Sequence, residues 1–156
     1  MNFPLRSAFV GLLSLLAIVP FARAQEKSAA EWSVALSKPA AAAGDVVEVI
    51  ITARLPHGWI AYSSDFKADL GPQPTQLTLD PSDAFQLVGE IISVKSKRKK
   101  DRTWDTEFGY FEDRAEFRQK IKILKPRSAG VTVRIKGQLC NESDGTCTLI
   151  DETVKA

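Results

Sequence analysis

The sequence predicts an all-β domain, an immunoglobulin-like antiparallel β-sandwich. Three observations carry that reading. Apolar residues recur at every second position through a series of short, β-branched stretches. Clusters of Gly, Pro, Asn, Asp and Ser separate those stretches at short intervals. Between them there is no long amphipathic run of helical period. About eight short strands in a chain of this size are what such a sandwich requires.

The elements follow in order. Trp32, Val34 and Leu36 alternate with polar or small residues, as do Val47, Val49 and Ile51 within Val46–Thr52. The run Ala40–Ala43 lies between Pro39 and Gly44, which leaves too little room for a helix, so it reads as a loop. Trp59–Tyr62 is a short aromatic strand, Thr75–Leu79 alternates again, and Phe85–Val94 is apolar and β-branched. Ala115, Phe117, Ile121 and Ile123 keep period two through Arg114–Leu124. Val131, Val133, Ile135 and Leu139 do the same up to Cys140, and Thr146–Val154 returns after Glu142-Ser143-Asp144-Gly145. Period two with one apolar face is the pattern of half-buried antiparallel strands.

Ahead of these strands stands a segment that reads as an export address. Met1–Arg6 carries one basic side chain, Ala8–Val19 is apolar, and Ala22-Arg23-Ala24 fits the small-x-small rule for signal peptidase. Cleavage after Ala24 leaves residues 25–156 as a single domain of 132 residues out of 156. The apolar run falls short of the roughly 20 residues that span a bilayer, so the mature chain is not expected to insert into a membrane. Arg6 and Arg23 account for two of the 21 Lys and Arg residues. The mature chain thus balances 19 basic against 19 acidic side chains. A neutral protein has no long-range attraction for nucleic acid.

Composition also limits the chemistry. At 44% hydrophobic and 26% charged residues the chain can bury a core. Its one histidine, His57 in the turn Pro56-His57-Gly58, excludes a His-rich metal site. No Gly-rich phosphate loop, H-E-x-x-H or G-x-S-x-G motif occurs, so no bound cofactor or metal is expected.

What remains is the pair Cys140 and Cys147, which in an oxidising compartment most simply forms one disulfide. If the intervening loop is tight, the two face each other across one hairpin. The bridge of antibody domains joins strands of opposite sheets, far apart in sequence, and six intervening residues cannot do that. Closing so short a loop is worth only about 2.5 kcal/mol in the chain-entropy account. Two readings therefore stand: a modest structural brace, or a bridge kept for its redox chemistry. Trp104, Phe108, Tyr110, Phe111 and Phe117 crowd into one stretch. Its centre reads as a loop, either buried in the core or covering something that must at times be exposed.

Gly58-Trp59-Ile60-Ala61-Tyr62-Ser63, Gly71-Pro72-Gln73-Pro74-Thr75 and Phe85-Gln86-Leu87-Val88-Gly89 together resemble one family. So do Phe108-Gly109, Tyr110-Phe111-Glu112, Ala115–Lys120 and Gly137-Gln138-Leu139-Cys140 with Cys147, in the same order. The family is that of the periplasmic N-terminal domain of the DsbD thiol:disulfide interchange proteins. The resemblance implies an immunoglobulin-like fold and a reversible Cys140–Cys147 disulfide, with Cys147 exchanging with partners and Cys140 resolving the mixed disulfide. It further implies an aromatic cap loop over the pair, matched by Asp105–Phe111, with Asp105 and Glu107 tuning the thiols and Phe108, Tyr110 and Phe111 shielding them. Tyr62 matches a tyrosine that packs near the pair; Ile60 stands where relatives can carry a second one. The implied partners are a thioredoxin-like or DsbD-type membrane electron donor, acting in trans, and oxidised periplasmic client proteins. The carrier is expected to be periplasmic and monomeric. The chain differs in its C-x6-C spacing, one residue longer than the C-x5-C pair associated with the family's best-known member. It also reads Cys147-Thr148-Leu149-Ile150, where relatives often have prolines.

Two further features complete the reading. The basic run Lys95-Ser96-Lys97-Arg98-Lys99-Lys100 reads as a solvated hairpin tip, or as a patch that steers toward an acidic partner. Asn141-Glu142-Ser143 fits a glycosylation sequon, which matters only in a eukaryotic secretory pathway. The rival from another class is a non-catalytic immunoglobulin-like binding domain with a bracing disulfide.

Overall fold

The computed structural model describes residues 29–67, 71–101, 105–125 and 130–156. The export segment and its cleavage site lie outside those residues. Among the described residues ten strands follow one another: β1 (Glu31–Leu36), β2 (Val46–Arg54), β3 (Trp59–Tyr62), β4 (Gln76–Leu79) and β5 (Phe85–Ser93), then β6 (Lys97–Asp101), β7 (Thr106–Glu112), β8 (Arg114–Ile123), β9 (Thr132–Asn141) and β10 (Cys147–Lys155). One sheet has the order β1-β2-β8-β5; the other runs β10-β9-β3-β7-β6, with β4 also pairing β9. Every pairing is antiparallel. The immunoglobulin-like sandwich is therefore as the sequence predicts. Among the described residues no helix is long and apolar enough to cross a membrane.

The core forms where the inward faces meet. Val49 and Ile51 of β2 and Phe117 and Ile121 of β8 are fully buried against Val133, Ile135 and Leu139 of β9. Their outward neighbours are polar: Arg118 on β8 bonds Glu48 at 2.9 Å and Glu116 at 2.7 Å. Gln119 occupies an inward position of β8, yet it is polar. Its side-chain amide donates to the backbone carbonyls of Val88 and Gly89. Those lie where β5 slips register between Val88 and Ile92, so the glutamine satisfies carbonyls that the bulge takes out of the ladder.

Two strands were not legible as strands. The basic run is no hairpin tip: Lys97–Asp101 is β6, at the edge of its sheet among the described strands, and it lacks an apolar face, with Lys97 to Lys100 all exposed. Lysines along such an edge discourage pairing with other chains. The presumed cap loop is likewise a strand over most of its length, because Thr106–Glu112 is β7, laddered to β6 on one side and β3 on the other. Its aromatics fall on both faces, which hides the alternation. Asp113 at φ 57° then carries the chain from β7 in one sheet to β8 in the other, a left-handed conformation that Asp tolerates.

Candidate functional site: a surface disulfide under an aromatic cluster

The site begins with a hairpin. The β9–β10 turn is held by its own side chains. The amide oxygen of Asn141 accepts from Ser143 N–H at 2.8 Å, and Asp144 accepts from Thr146 N–H at 2.8 Å. Gly145 takes φ 74°. The last ladder bond runs from Asn141 N to Thr146 O, 2.8 Å. Asn141 and Thr146 are thus a hydrogen-bonded pair, and the next pair, Cys140 with Cys147, is a non-hydrogen-bonded one, the closer of the two kinds. Their Cα atoms are 4.1 Å apart and the sulfurs are joined.

Strand parity then separates the two sulfurs. Leu139 faces the core, so Cys140 faces outward, where it is covered. Ile60, Tyr62 and Phe108 bury it to 7% exposure, with Phe66 and Tyr110 partly buried against them. The Tyr62 and Phe108 rings meet edge to face at 5.3 Å, and Phe66 and Tyr110 each lie within 6.3 Å of Phe108. Gln138, two residues before Cys140 on the same face, points its amide N–H at Cys140 Sγ from 3.4 Å. Cys147, on the edge strand, is exposed.

The aromatic strand is fastened over the pair by polar contacts. Ser63 N donates to the Gly109 carbonyl at 2.9 Å, and the buried Ser63 hydroxyl donates to Asp65, which in turn accepts from Arg98 of β6. Gly109 is required for this approach, since a Cβ there would stand 2.1 Å from Ser63 Oγ. Lys97 pairs with Glu112 at 2.5 Å and holds its carboxyl below the usual range, chiefly through that hydrogen bond. Lys99 reaches Glu142 in the cysteine hairpin at 3.2 Å.

The residues singled out in the sequence divide accordingly. Tyr62, Phe108 and Tyr110 gather around Cys140. Phe111 does not, because it lies on the opposite face of β7 and packs into the main core against Phe117 at 5.2 Å. Asp105 sits in the β6–β7 turn, exposed and paired with Lys100 at 2.7 Å, and Glu107 is exposed on β7 opposite Lys100. Neither belongs to the cluster around Cys140. Sequence reasoning passed over Phe66, Gln138, Glu142 and Leu149. Parity was the available signal for two of them, since Gln138 and Leu149 stand two residues from a cysteine. Among the described residues no group of three or more His, Cys, Asp or Glu side chains is placed to hold a metal ion.

Fold and site together define an immunoglobulin-like domain that carries a half-covered disulfide on the outer face of one sheet. The chain belongs to the family described as the N-terminal domain of the thiol:disulfide interchange protein DsbD, whose model matches residues 30–156. Among solved structures it is similar to the N-terminal periplasmic domain of ScsB from Proteus mirabilis, with TM-score 0.54 and 13% identity. That match covers 84% of this chain and 47% of the other, so the chain spans about half of that relative; it shows the shared fold. The reduced DsbD N-terminal domain of Neisseria meningitidis matches with TM-score 0.48 and 19% identity, over 80% of this chain and 83% of that one. A structure of the complex between the DsbD and PilB N-terminal domains of Neisseria meningitidis matches with TM-score 0.41 and 16% identity, over 86% and 87%. No curated protein matches the chain.

Proposed function

We propose that the domain is a periplasmic thiol–disulfide carrier, exported with loss of residues 1–24, that passes electron pairs through Cys140 and Cys147. A membrane-bound or thioredoxin-like dithiol reduces the pair, and the reduced Cys140 and Cys147 then reduce oxidised client proteins. Membership of the DsbD family supports the reaction class. The observation that carries it here is the asymmetry of the two sulfurs. Exchange requires a thiolate to reach one disulfide sulfur in line with the bond, and rate follows access. Cys147 offers that access, whereas Cys140 lies under Ile60, Tyr62 and Phe108. An outer partner attacks one sulfur, and the other is kept for resolution. Aromatic cover also keeps stray disulfides from the resolving thiol while the mixed disulfide stands. A pair that served only as a brace has no need of such division.

The test is the reduction potential. A carrier equilibrates with thioredoxin-like proteins, at roughly −180 to −270 mV, whereas structural bridges lie below about −300 mV. Titration against dithiothreitol and glutathione buffers, read by thiol alkylation, is expected to give a value in the first range. A potential well below −300 mV leaves only the bracing role.

A further inference from the structure

We propose that the Cys147–Leu149 end of β10 is the docking surface for the dithiol protein that exchanges with this domain, with Leu149 as its apolar anchor. The inference rests on the carrier reading and adds where, and through what, the partner binds.

Three independent features of β10 converge. The first is the approach to the sulfur. Displacement at a disulfide needs the incoming thiolate on the side of the attacked sulfur that faces away from the leaving one. Cys140 belongs to β9 and Cys147 to β10, and among the described residues β10 ends the sheet, so that side faces away from β9 at Cys147. The aromatic cluster lies the other way, on β3 and β7. Cys147, unlike Cys140, is not part of that cluster.

The second is the backbone. Asn141 with Thr146 is a hydrogen-bonded pair, so the alternation makes Leu139 with Thr148 the next, and Cys147 and Leu149 the residues whose N–H and C=O point away from β9. The other flank of β9 agrees with this parity. Glu142 N donates to Gly58 O, which makes Ile60 with Cys140 a hydrogen-bonded pair and turns Cys140 toward β3. Among the described residues no strand pairs with β10 on its outer side. Cys147 and Leu149 thus present main-chain donors and acceptors to whatever adds there, in the manner of strand addition.

The third is the side chain. Leu149 shares a face with Cys147 and is 77% exposed, while Ile150 on the other face is buried and holds the strand to the core. Other exposed apolar side chains, Val46, Leu87, Val88 and Ile92, lie on β2 and β5 of the opposite sheet, and nothing there shows what covers them. Leu149 alone among them sits beside a reactive sulfur. An extended segment bearing the partner's cysteine, laid along β10, covers Leu149 and brings its thiolate to Cys147.

The exchange balances without a further reagent. The partner's thiolate attacks Cys147 Sγ, the Cys147–partner bond forms, and the Cys140–Cys147 pair of bonding electrons leaves on Cys140, which takes a proton from water. The partner's second thiol gives its proton to water and, as thiolate, attacks the partner's own sulfur; Cys147 leaves as a thiolate and takes a proton from water. Two electrons and two protons have passed from partner to domain.

The experiment compares reduction of the oxidised domain by thioredoxin, a protein dithiol, with reduction by dithiothreitol, which needs no docking surface. Leu149→Ser removes the anchor. Leu149→Pro also removes an outward N–H while sparing the ladder to β9, a substitution an edge strand accepts. Both variants are expected to slow reduction by thioredoxin about tenfold, the effect of losing one buried leucine contact, and to leave the dithiothreitol rate within about twofold. Unchanged thioredoxin rates in both variants overturn the docking surface and leave the carrier intact. Equal slowing by both reductants overturns it too, because Leu149 then acts on the disulfide itself. A wild-type domain that neither reductant reduces overturns the carrier reading and the docking surface together.

Discussion

Lys99 of β6 and Glu142 of the β9–β10 turn meet at 3.2 Å, which joins the hairpin that carries Phe108 to the hairpin that carries the disulfide. The two are far apart in sequence and both are about half exposed. An ion pair so exposed is worth at most about 1 kcal/mol and is screened by salt. That makes it a weak latch on the aromatic cluster. Lys99→Ala or Glu142→Gln is expected to raise the rate at which dithiothreitol reduces the pair, by up to about fivefold at low salt. The gain should shrink as salt is added, since wild type loses the latch as well. A difference that persists unchanged at 1 M salt would show that the ion pair is not the cause.

Parity explains how much of this was legible in advance. Val49, Ile51, Phe117 and Ile135 alternate with polar neighbours, so their strands and the sandwich could be read from period two alone. The cysteine hairpin was legible too, because Asn141, Asp144 and Gly145 are turn residues at the right places. β6 and β7 were not. Local pattern reports which face is buried, and β7 buries both, with Phe108 toward Cys140 and Phe111 toward Phe117. β6 buries neither. The Lys99–Glu142 contact depends on how the two hairpins lie in space, which no window of sequence contains.

The split of the two phenylalanines gives a second expectation. Phe111→Ala opens the main core next to Phe117 and should cost about 3–5 kcal/mol, read by urea unfolding. Disulfide reactivity in the folded state should change little. Phe108→Ala should instead uncover Cys140 and speed reduction by small thiols, because a second sulfur becomes open to attack. If Phe111→Ala accelerates reduction as much as Phe108→Ala does, the two faces of β7 are not separate in function.

Gly109 supplies a packing test. Gly109→Ala places a methyl against Ser63 Oγ at 2.1 Å and Ser63 Cβ at 2.9 Å, an overpacking expected to cost about 1–3 kcal/mol. Ser63→Gly removes both atoms, so the double variant should be more stable than the sum of the singles predicts. Strict additivity would place the strain elsewhere.

Acid should weaken the cysteine hairpin. The Asp144 carboxyl is held below its ordinary range, mainly by the hydrogen bond from Thr146 N–H, and Glu112 is lowered by Lys97. A carboxyl lowered by folding stabilises the fold fully above the ordinary carboxylate range, and that contribution fades as pH falls through the folded value. The melting temperature should therefore be level between about pH 5.5 and 7.5 and fall below about pH 4. Asp144→Asn retains an acceptor for Thr146 without a titrating charge, so its decline in acid should be shallower. An Asp144→Asn profile identical to that of wild type would remove the turn from the account.

The division of labour between the sulfurs can be read directly with single-cysteine variants. In Cys140→Ala the remaining thiol, Cys147, stands exposed at the edge of the sheet, and in Cys147→Ala the remaining thiol lies under Ile60, Tyr62 and Phe108. The probe is a thioredoxin reduced to its exposed cysteine and activated as the thionitrobenzoate disulfide. Attack by a domain thiolate on the thioredoxin sulfur forms the mixed disulfide and releases thionitrobenzoate, whose absorbance gives the rate. Access and thiolate fraction set that rate, so Cys140→Ala should react on the order of tenfold faster than Cys147→Ala and accumulate a stable adduct on a non-reducing gel. The reduced wild type should release thionitrobenzoate as fast as Cys140→Ala yet retain no adduct, because Cys140 displaces thioredoxin from Cys147 and reforms the internal bridge. Equal rates from the two single-cysteine variants would contradict the assignment of Cys147 to attack. An adduct that persists in wild type would show that Cys140, held under its aromatic cover, cannot turn back on Cys147.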